Sequence, residues 1–268
     1  MLGAIVLKLR AENAGALPMI NGRLMHAAFF RLLHEHAPAL EIALHARQNI
    51  KPFTVSMLDP LGAARSDYSA WQVLRHDEFL WRLTVINEEL FRAVLSMPTD
   101  QSIQAGALRL RVDDVMVEGR RDCGAESKAD FIERVRASAT PKDITMRFAS
   151  PTTFRIDDQD APYPRAELIF GSLADKWEQS EMPASTDKQL IKELASGLRL
   201  TTWSGQSKKI FFGRDRGTLA FWGEFNFNVE RLSMDERKVF LLMAQFAEYA
   251  GVGRLTAQGF GQTRVHVA

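Results

Sequence analysis

His45 and Lys51 stand close together in Ala43-Leu-His45-Ala-Arg-Gln-Asn-Ile-Lys51-Pro-Phe53-Thr-Val-Ser56, and as a pair they could act on a phosphate. An imidazole titrates near neutrality and can take or give a proton. An ammonium is a compact positive charge that can hold a phosphate and stabilise charge growing on it. His45 closes a predicted short helix, where the end of the helix dipole favours a protonated ring. The plainer readings are a capping surface histidine and a solvated lysine at a strand start. His26 is the alternative imidazole, on the first predicted helix near Phe29 and Phe30. Its plainer reading is a hydrogen-bonded histidine at the edge of the core. His34 and His36 do not suggest a metal site, because two residues on a helix put side chains about 200° apart.

A second chemical feature is the run Gly251-Val-Gly253-Arg254-Leu-Thr-Ala-Gln-Gly259-Phe-Gly261-Gln-Thr-Arg264. Glycine allows positive φ and close backbone approach. Successive free amides in such a loop make an anion-binding concavity. No acid lies between Gly251 and Ala268, while Arg254 and Arg264 do, so a phosphate-rich partner fits. A long glycine cap after a helix fits the same run, and the run alone does not choose. It is not a dinucleotide fingerprint or a P-loop, because it follows a helix and leads into a strand. A further basic cluster, Lys208-Lys209-Ile-Phe-Phe-Gly213-Arg214-Asp-Arg216, interleaves charge with aromatics, which suits RNA backbone and base stacking. It reads equally as a β-hairpin with a charged tip.

The elements that must position these residues follow from hydrophobic period. Ile5, Leu7 and Leu9 alternate with more polar neighbours as a strand. Asn21 is a predicted cap for a helix to about His36, with Met25, Ala28, Phe29 and Leu32 on one face. Pro38 opens a short helix ending near His45. Phe53 to Met57 and Phe79 to Val85 alternate as strands, Leu90 to Leu95 is a helical stripe, and Leu108 to Val112 is a strand. The order β-α-β-β-α-β is ferredoxin-like. The second half repeats it, with strands at Ile144–Phe148, Leu198–Trp203, Thr218–Val229 and Gln262–Val267 and helices around Leu168–Trp177, Leu190–Leu194 and Ser233–Tyr249. Ser233 and Glu236 form a predicted capping box. The predicted fold is α+β: two tandem ferredoxin-like (RRM-like) domains, 1–138 and 139–268, with a C-terminal glycine-rich loop.

The 268 residues carry a net charge of +1, so any basic surface must be local. The single cysteine, Cys123, excludes a disulfide framework and a cysteine-rich zinc site. With no signal-like N-terminus and no bilayer-length apolar run, the expectation is a cytoplasmic protein with no membrane partner.

The tandem arrangement with its terminal glycine loop resembles the RAMP superfamily, and more specifically the CRISPR repeat-RNA-processing endoribonucleases. The segments that carry the likeness are Gly251–Gln262, Ala43–Ser56, Phe148-Ala-Ser-Pro151-Thr-Thr-Phe154-Arg155 and Phe170-Gly-Ser-Leu173. The resemblance implies cleavage of CRISPR precursor RNA within repeats, without cofactor or metal. The RNA's own 2′-hydroxyl attacks, leaving a 2′,3′-cyclic phosphate and a 5′-hydroxyl. It also implies catalysis by His45 and Lys51, with His26 as alternative. RNA contact would come from Gly251, Gly253, Arg254, Gly259, Gly261 and Arg264, and from Lys208, Lys209, Arg214 and Arg216. The implied partner is CRISPR repeat RNA; subunits of a CRISPR effector complex and a homodimer stay open. Such enzymes often place a tyrosine on the first long helix, where this chain has Phe29. A non-catalytic RAMP subunit that binds CRISPR RNA as scaffold shares fold and loop and is the competing reading.

Overall fold

The computed structural model describes residues 1–46, 50–62, 66–67, 70–211 and 217–267. The chain forms two compact units, Met1–Glu126 with Ala257–Gly259, and Ser127–Thr256 with Phe260–Ala268.

The first unit runs β1 (Leu2–Ala11), β2 (Gly15–Pro18), α1 (Gly22–His36), α2 (Pro38–Ala46), β3 (Phe53–Val55), β4 (Asp59–Leu61), β5 (Ser66–Asp67), β6 (Ala70–Val73), β7 (Glu78–Val85), α3 (Glu88–Leu95), β8 (Ser102–Ala105), β9 (Leu108–Met116) and β10 (Gly124–Glu126). Its main sheet has the order β3-β7-β1-β9-β8. Leaving aside the added hairpin strand β8, this is the ferredoxin-like order, with the first strand central between the third and the fourth. Short strands β2, β6 and β5 make a separate sheet that the sequence pattern does not announce.

α1 forms because Met25, Ala28, Phe29 and Leu32 recur at helical spacing, and all four are buried. Phe29 packs against Phe53 and Trp81 with ring centroids 4.8 and 6.4 Å away. Truncating such a residue to alanine costs about 3–5 kcal/mol. Asn21 does not cap α1 with its side chain, contrary to the sequence expectation. Its Oδ1 instead accepts from the Leu58 amide at 2.9 Å, and its Nδ2 donates to the Pro18 carbonyl at 3.1 Å. The buried amide thus ties the start of α1 to two neighbouring segments.

The second unit runs α4 (Lys128–Ala137), β11 (Asp143–Thr152), β12 (Phe154–Ile156), β13 (Gln159–Ala161), α5 (Ala166–Gln179), α6 (Lys188–Ser196), β14 (Arg199–Phe211), β15 (Gly217–Asn228), α7 (Met234–Ala250) and β16 (Thr263–Val267). Its sheet has the order β14-β15-β11-β16, again ferredoxin-like. The capping box at Ser233 and Glu236 is present in full. Ser127 accepts from the Asp130 amide and starts α4, a helix that the sequence reading left on the N-terminal side of its boundary. β14 is far longer than the Leu198–Trp203 strand expected. Residues beyond Trp203 are exposed except Ile210, so no burial pattern marks them. Pairing with β15, from Arg199↔Asn228 to Phe211↔Gly217, holds them extended.

Candidate active site

Three side chains singled out from the sequence meet in the first unit. His26 lies on the half-buried edge of α1, one turn before Phe30. His45 lies in the last turn of α2. The Phe30 ring contacts both, with its centroid 4.8 Å from the His26 ring and 4.3 Å from the His45 ring. Phe53, the first residue of β3, lies 6.2 Å from the His26 ring and nearly parallel to it. Lys51, just before β3, reaches back and donates its Nζ to the Leu44 carbonyl. That carbonyl belongs to the last turn of α2, where helix geometry leaves oxygens without an intrahelical partner.

The protonation of His26 follows from its contacts. Its Nδ1 lies 2.7 Å from the Ala257 carbonyl. A carbonyl oxygen only accepts, so Nδ1 carries the proton and the neutral ring keeps its lone pair on Nε2. Burial pushes the pKa of His26 below the ordinary histidine value; the Ala257 carbonyl opposes this, and the charges of His45 and Lys51 lower it further. His45 and Lys51 therefore both lie within electrostatic reach of His26. A ring that is neutral near pH 7 with a free Nε2 is suited to accept a proton.

His45 is the more open of the two histidines, with a side chain 62% exposed. Its Nε2 lies 3.0 Å from Oε1 of Glu41, one turn back on α2. The other oxygen of Glu41 is 3.6 Å from Nδ1 of His34. His36 pairs through Nε2 with Oε1 of Gln101 at 2.6 Å. His34 and His36 are thus engaged separately, as their angular separation on α1 requires.

Sequence reasoning named Phe30 only as a neighbour of His26, and missed Glu41 and the contact partner Ala257. Phe29 was the position compared with a family tyrosine, but it is fully buried in the core. The neighbouring position, Phe30, faces the histidines. The signal was available: His26 and Phe30 are four apart on a helix, and so are Glu41 and His45.

The glycine run is built differently from the expected open nest of amides. Gly251, Gly253, Gly259 and Gly261 all have positive φ, as expected. Their neighbours, however, are the protein's own atoms. A Cβ at Gly261 would overlap the Val252 carbonyl oxygen, and one at Gly253 would overlap that of Thr153. The amides are also occupied. Val252 N donates to Gly261 O, Arg254 N to Thr153 O and Gly261 N to Pro151 O. Gly253 N donates to Ser172 Oγ and Gln262 N to Ser150 Oγ. Gly251 is the cap of α7, its amide donating to Ala247 O. The expectation of successive free amides therefore fails at these positions, because the loop folds on itself and on the β11–β12 turn. Gly259 packs within the first unit, where an added Cβ would be 2.8 Å from Gly22 Cα.

The basic residues are placed as follows. Arg254 lies 3.6 Å from Asp160 of β13, an acid that the local sequence does not reveal. Arg264 on β16 is the register partner of Arg147 on β11, so two guanidinium groups share one face of the sheet. Lys208 and Lys209 are exposed on the distal part of β14, with Lys209 Nζ 5.4 Å from the Phe211 ring centre. The described strands on either side of residues 212–216 pair antiparallel, with Phe211 opposite Gly217. Arg214 and Arg216 lie outside the described residues.

Two family models cover most of the chain. The CRISPR Cas6 N-terminal domain matches residues 1–123, and the CRISPR-associated endoribonuclease Cas6 model matches residues 146–263. The chain belongs to the Cas6 family. Curated Cas6 endoribonucleases from two strains of Mycobacterium tuberculosis are each 24% identical to it over 200 residues, covering 74% of this chain. That match spans 62% of the length of those Cas6 relatives. Among solved structures, a Cas6 product complex superimposes with a TM-score of 0.77 at 26% identity, covering 99% of this chain and 100% of the other. Thermus thermophilus Cas6 superimposes with a TM-score of 0.73 at 25% identity, covering 99% and 98%. The tandem ferredoxin-like architecture is thus the Cas6 architecture over the full chain.

Proposed function

We propose that this chain is a metal-independent endoribonuclease that cleaves CRISPR precursor RNA within its repeats, leaving a 2′,3′-cyclic phosphate and a 5′-hydroxyl. The observation that carries this reading is the convergence of His26 and His45 on Phe30, with Lys51 in electrostatic reach of His26. Strand scission by an internal 2′-hydroxyl needs a base, an acid and positive charge at the phosphate. The site has one group for each. His26 takes the 2′-hydroxyl proton on Nε2 as the 2′-oxygen bonds to phosphorus. The bond from phosphorus to the 5′-oxygen breaks, and that oxygen takes a proton from His45. Lys51, half-buried beside them, stabilises the charge that builds on the phosphoryl oxygens. His26 and His45 are therefore partners rather than alternatives.

RNA contact is assigned to Arg254 and Arg264 near the glycine loop and to Lys208 and Lys209 on the β14–β15 hairpin. Gly251, Gly253, Gly259 and Gly261 serve that contact by giving the loop its shape. The deciding experiment is incubation with repeat RNA in EDTA, with the ends of the products mapped. Cleavage to a cyclic phosphate, abolished by a 2′-deoxy nucleotide on the 5′ side of the cut while binding persists, is the expected result. Unchanged cleavage of the deoxy substrate defeats the mechanism. A band shift with no cleavage of all-ribose RNA means a non-catalytic RNA-binding subunit instead.

A further inference from the structure

Lys176, on α5, is a lysine buried inside the second unit, with 2% of its surface exposed. Its Nζ donates to the Ala250 carbonyl at 3.0 Å, the Gly251 carbonyl at 2.9 Å and Thr256 Oγ1 at 3.4 Å. Ala250 is the last residue of α7, Gly251 caps it, and Thr256 lies inside the glycine loop. Thr256 Cγ2 is also the atom that a Cβ at Gly251 or at Gly261 would meet at 2.9 Å. One side chain therefore gathers the entry of the loop and its middle.

The contacts match the charged form. An ammonium has three donors, and three oxygens receive them. A neutral amine could still give its two protons to the carbonyls and accept from the Thr256 hydroxyl, but it would lose the charge that those carbonyls attract. The carbonyls at the end of α7 also carry the negative end of its dipole. What the site lacks is an anion. α5 packs against α6 and α7, and the groups that hold Lys176 Nζ are two carbonyls and a hydroxyl. Asp175 pairs with Lys188, Lys192 lies over Gly171, Glu248 accepts from the Val265 amide, and Arg254 pairs with Asp160. Burial pushes the Lys176 pKa down to about 7.

We propose that Lys176 is a positioning residue for RNA binding, whose ammonium form holds the glycine loop in the shape that RNA engages. The proposal rests on RNA contact at the loop, as assigned above. RNA brings phosphates to a loop whose underside holds an ammonium without a carboxylate. Binding then favours the charged form, and the complex takes up a proton in the range where free protein has lost it.

The test uses the full chain in a Cys123→Ser background, so that the thiol does not titrate. The probe is repeat RNA blocked by a 2′-deoxy nucleotide at the cut. Calorimetry at pH 8 in two buffers of different ionisation enthalpy reads proton uptake, expected at roughly half to one proton per complex. Wild-type affinity should fall as pH rises from 7 to 9, by up to about tenfold per pH unit. Lys176→Met, of similar volume and no charge, should bind more weakly at pH 7 and lose both the uptake and the slope. No uptake by wild-type protein that binds RNA overturns the proposal, as does a Met variant with the wild-type slope. Should the Met variant not fold, uptake is read in His26→Gln and in His45→Gln protein and must persist in both, since these rings also meet the phosphate; its loss there overturns the proposal. Protein that neither binds nor cleaves repeat RNA at any pH overturns the functional reading, and this coupling with it.

Discussion

At the end of α2, Lys51 donates to the Leu44 carbonyl; at the end of α7, Lys176 donates to the carbonyls of Ala250 and Gly251. Both ammonium groups answer the same need, carbonyls left over where a helix stops. Their surroundings separate them. Lys51 is half-buried near two histidines and keeps access to solvent, and the proposed mechanism has it exchange the carbonyl for a substrate phosphate. Lys176 is enclosed and can reach only the loop that covers it. On the proposed roles, a lysine at a helix end is not catalytic by type: exposure and neighbouring imidazoles give Lys51 its part in the chemistry, and enclosure gives Lys176 its part as a support.

The largest effects should come from the histidines next to Lys51. His26→Ala and His45→Ala should each lower the single-turnover rate by roughly 10²–10⁴-fold, the range for general acid–base groups, with little change in RNA affinity. Full activity in either variant removes that residue from the mechanism. Lys51→Ala should slow cleavage by roughly 10²–10³-fold, as loss of a charge-stabilising donor does. It should weaken binding as well, because the ammonium meets the phosphate before and during reaction. A Lys51→Ala enzyme of normal rate would make the two lysines alike, both supports of helix ends.

The glycine loop should respond in stability before chemistry. Gly261→Ala forces a positive φ on a residue with a Cβ that overlaps the Val252 carbonyl, so a loss of at least about 1–3 kcal/mol is expected. Thermal unfolding reads this directly, and an unchanged Tm would show that the loop is looser than its contacts imply.

The smallest effect concerns His26. Its folded pKa lies below the unfolded value of 6.5, so the unfolded chain binds the proton first as pH falls. Stability from this group is present above pH 6.5 and is lost as pH drops through the folded pKa. Urea titrations of wild type and His26→Gln across pH 5–7.5 should show a steeper loss in wild type. Equal slopes would mean that the ring's burial does not set its protonation.

The amino-acid order by itself determined the repeated β-α-β-β-α-β plan. The Met25–Leu32 stripe of α1 and the alternation in β11 each point one face at a core, and burial follows them; β1 and β7, also read as alternating, are buried on both faces along most of their length. Glycine's tolerance of positive φ likewise made the terminal loop legible. His45 and Lys51 stood out as residue types suited to phosphate chemistry at a helix end and a strand start. Only the tertiary structure decided the rest, because it depends on partners distant in sequence. The Ala257 carbonyl, 231 positions from His26, sets that ring's tautomer. Asp160 takes Arg254, and Thr153 takes the loop amide beside it. β14 runs on past Trp203 because β15 offers it hydrogen bonds, although its exposed residues carry no hydrophobic period. Nothing in the local sequence marks Lys176, whose partners Ala250, Gly251 and Thr256 lie more than seventy positions away. Local sequence specifies which face a residue takes, but not which oxygens a fold will place around it.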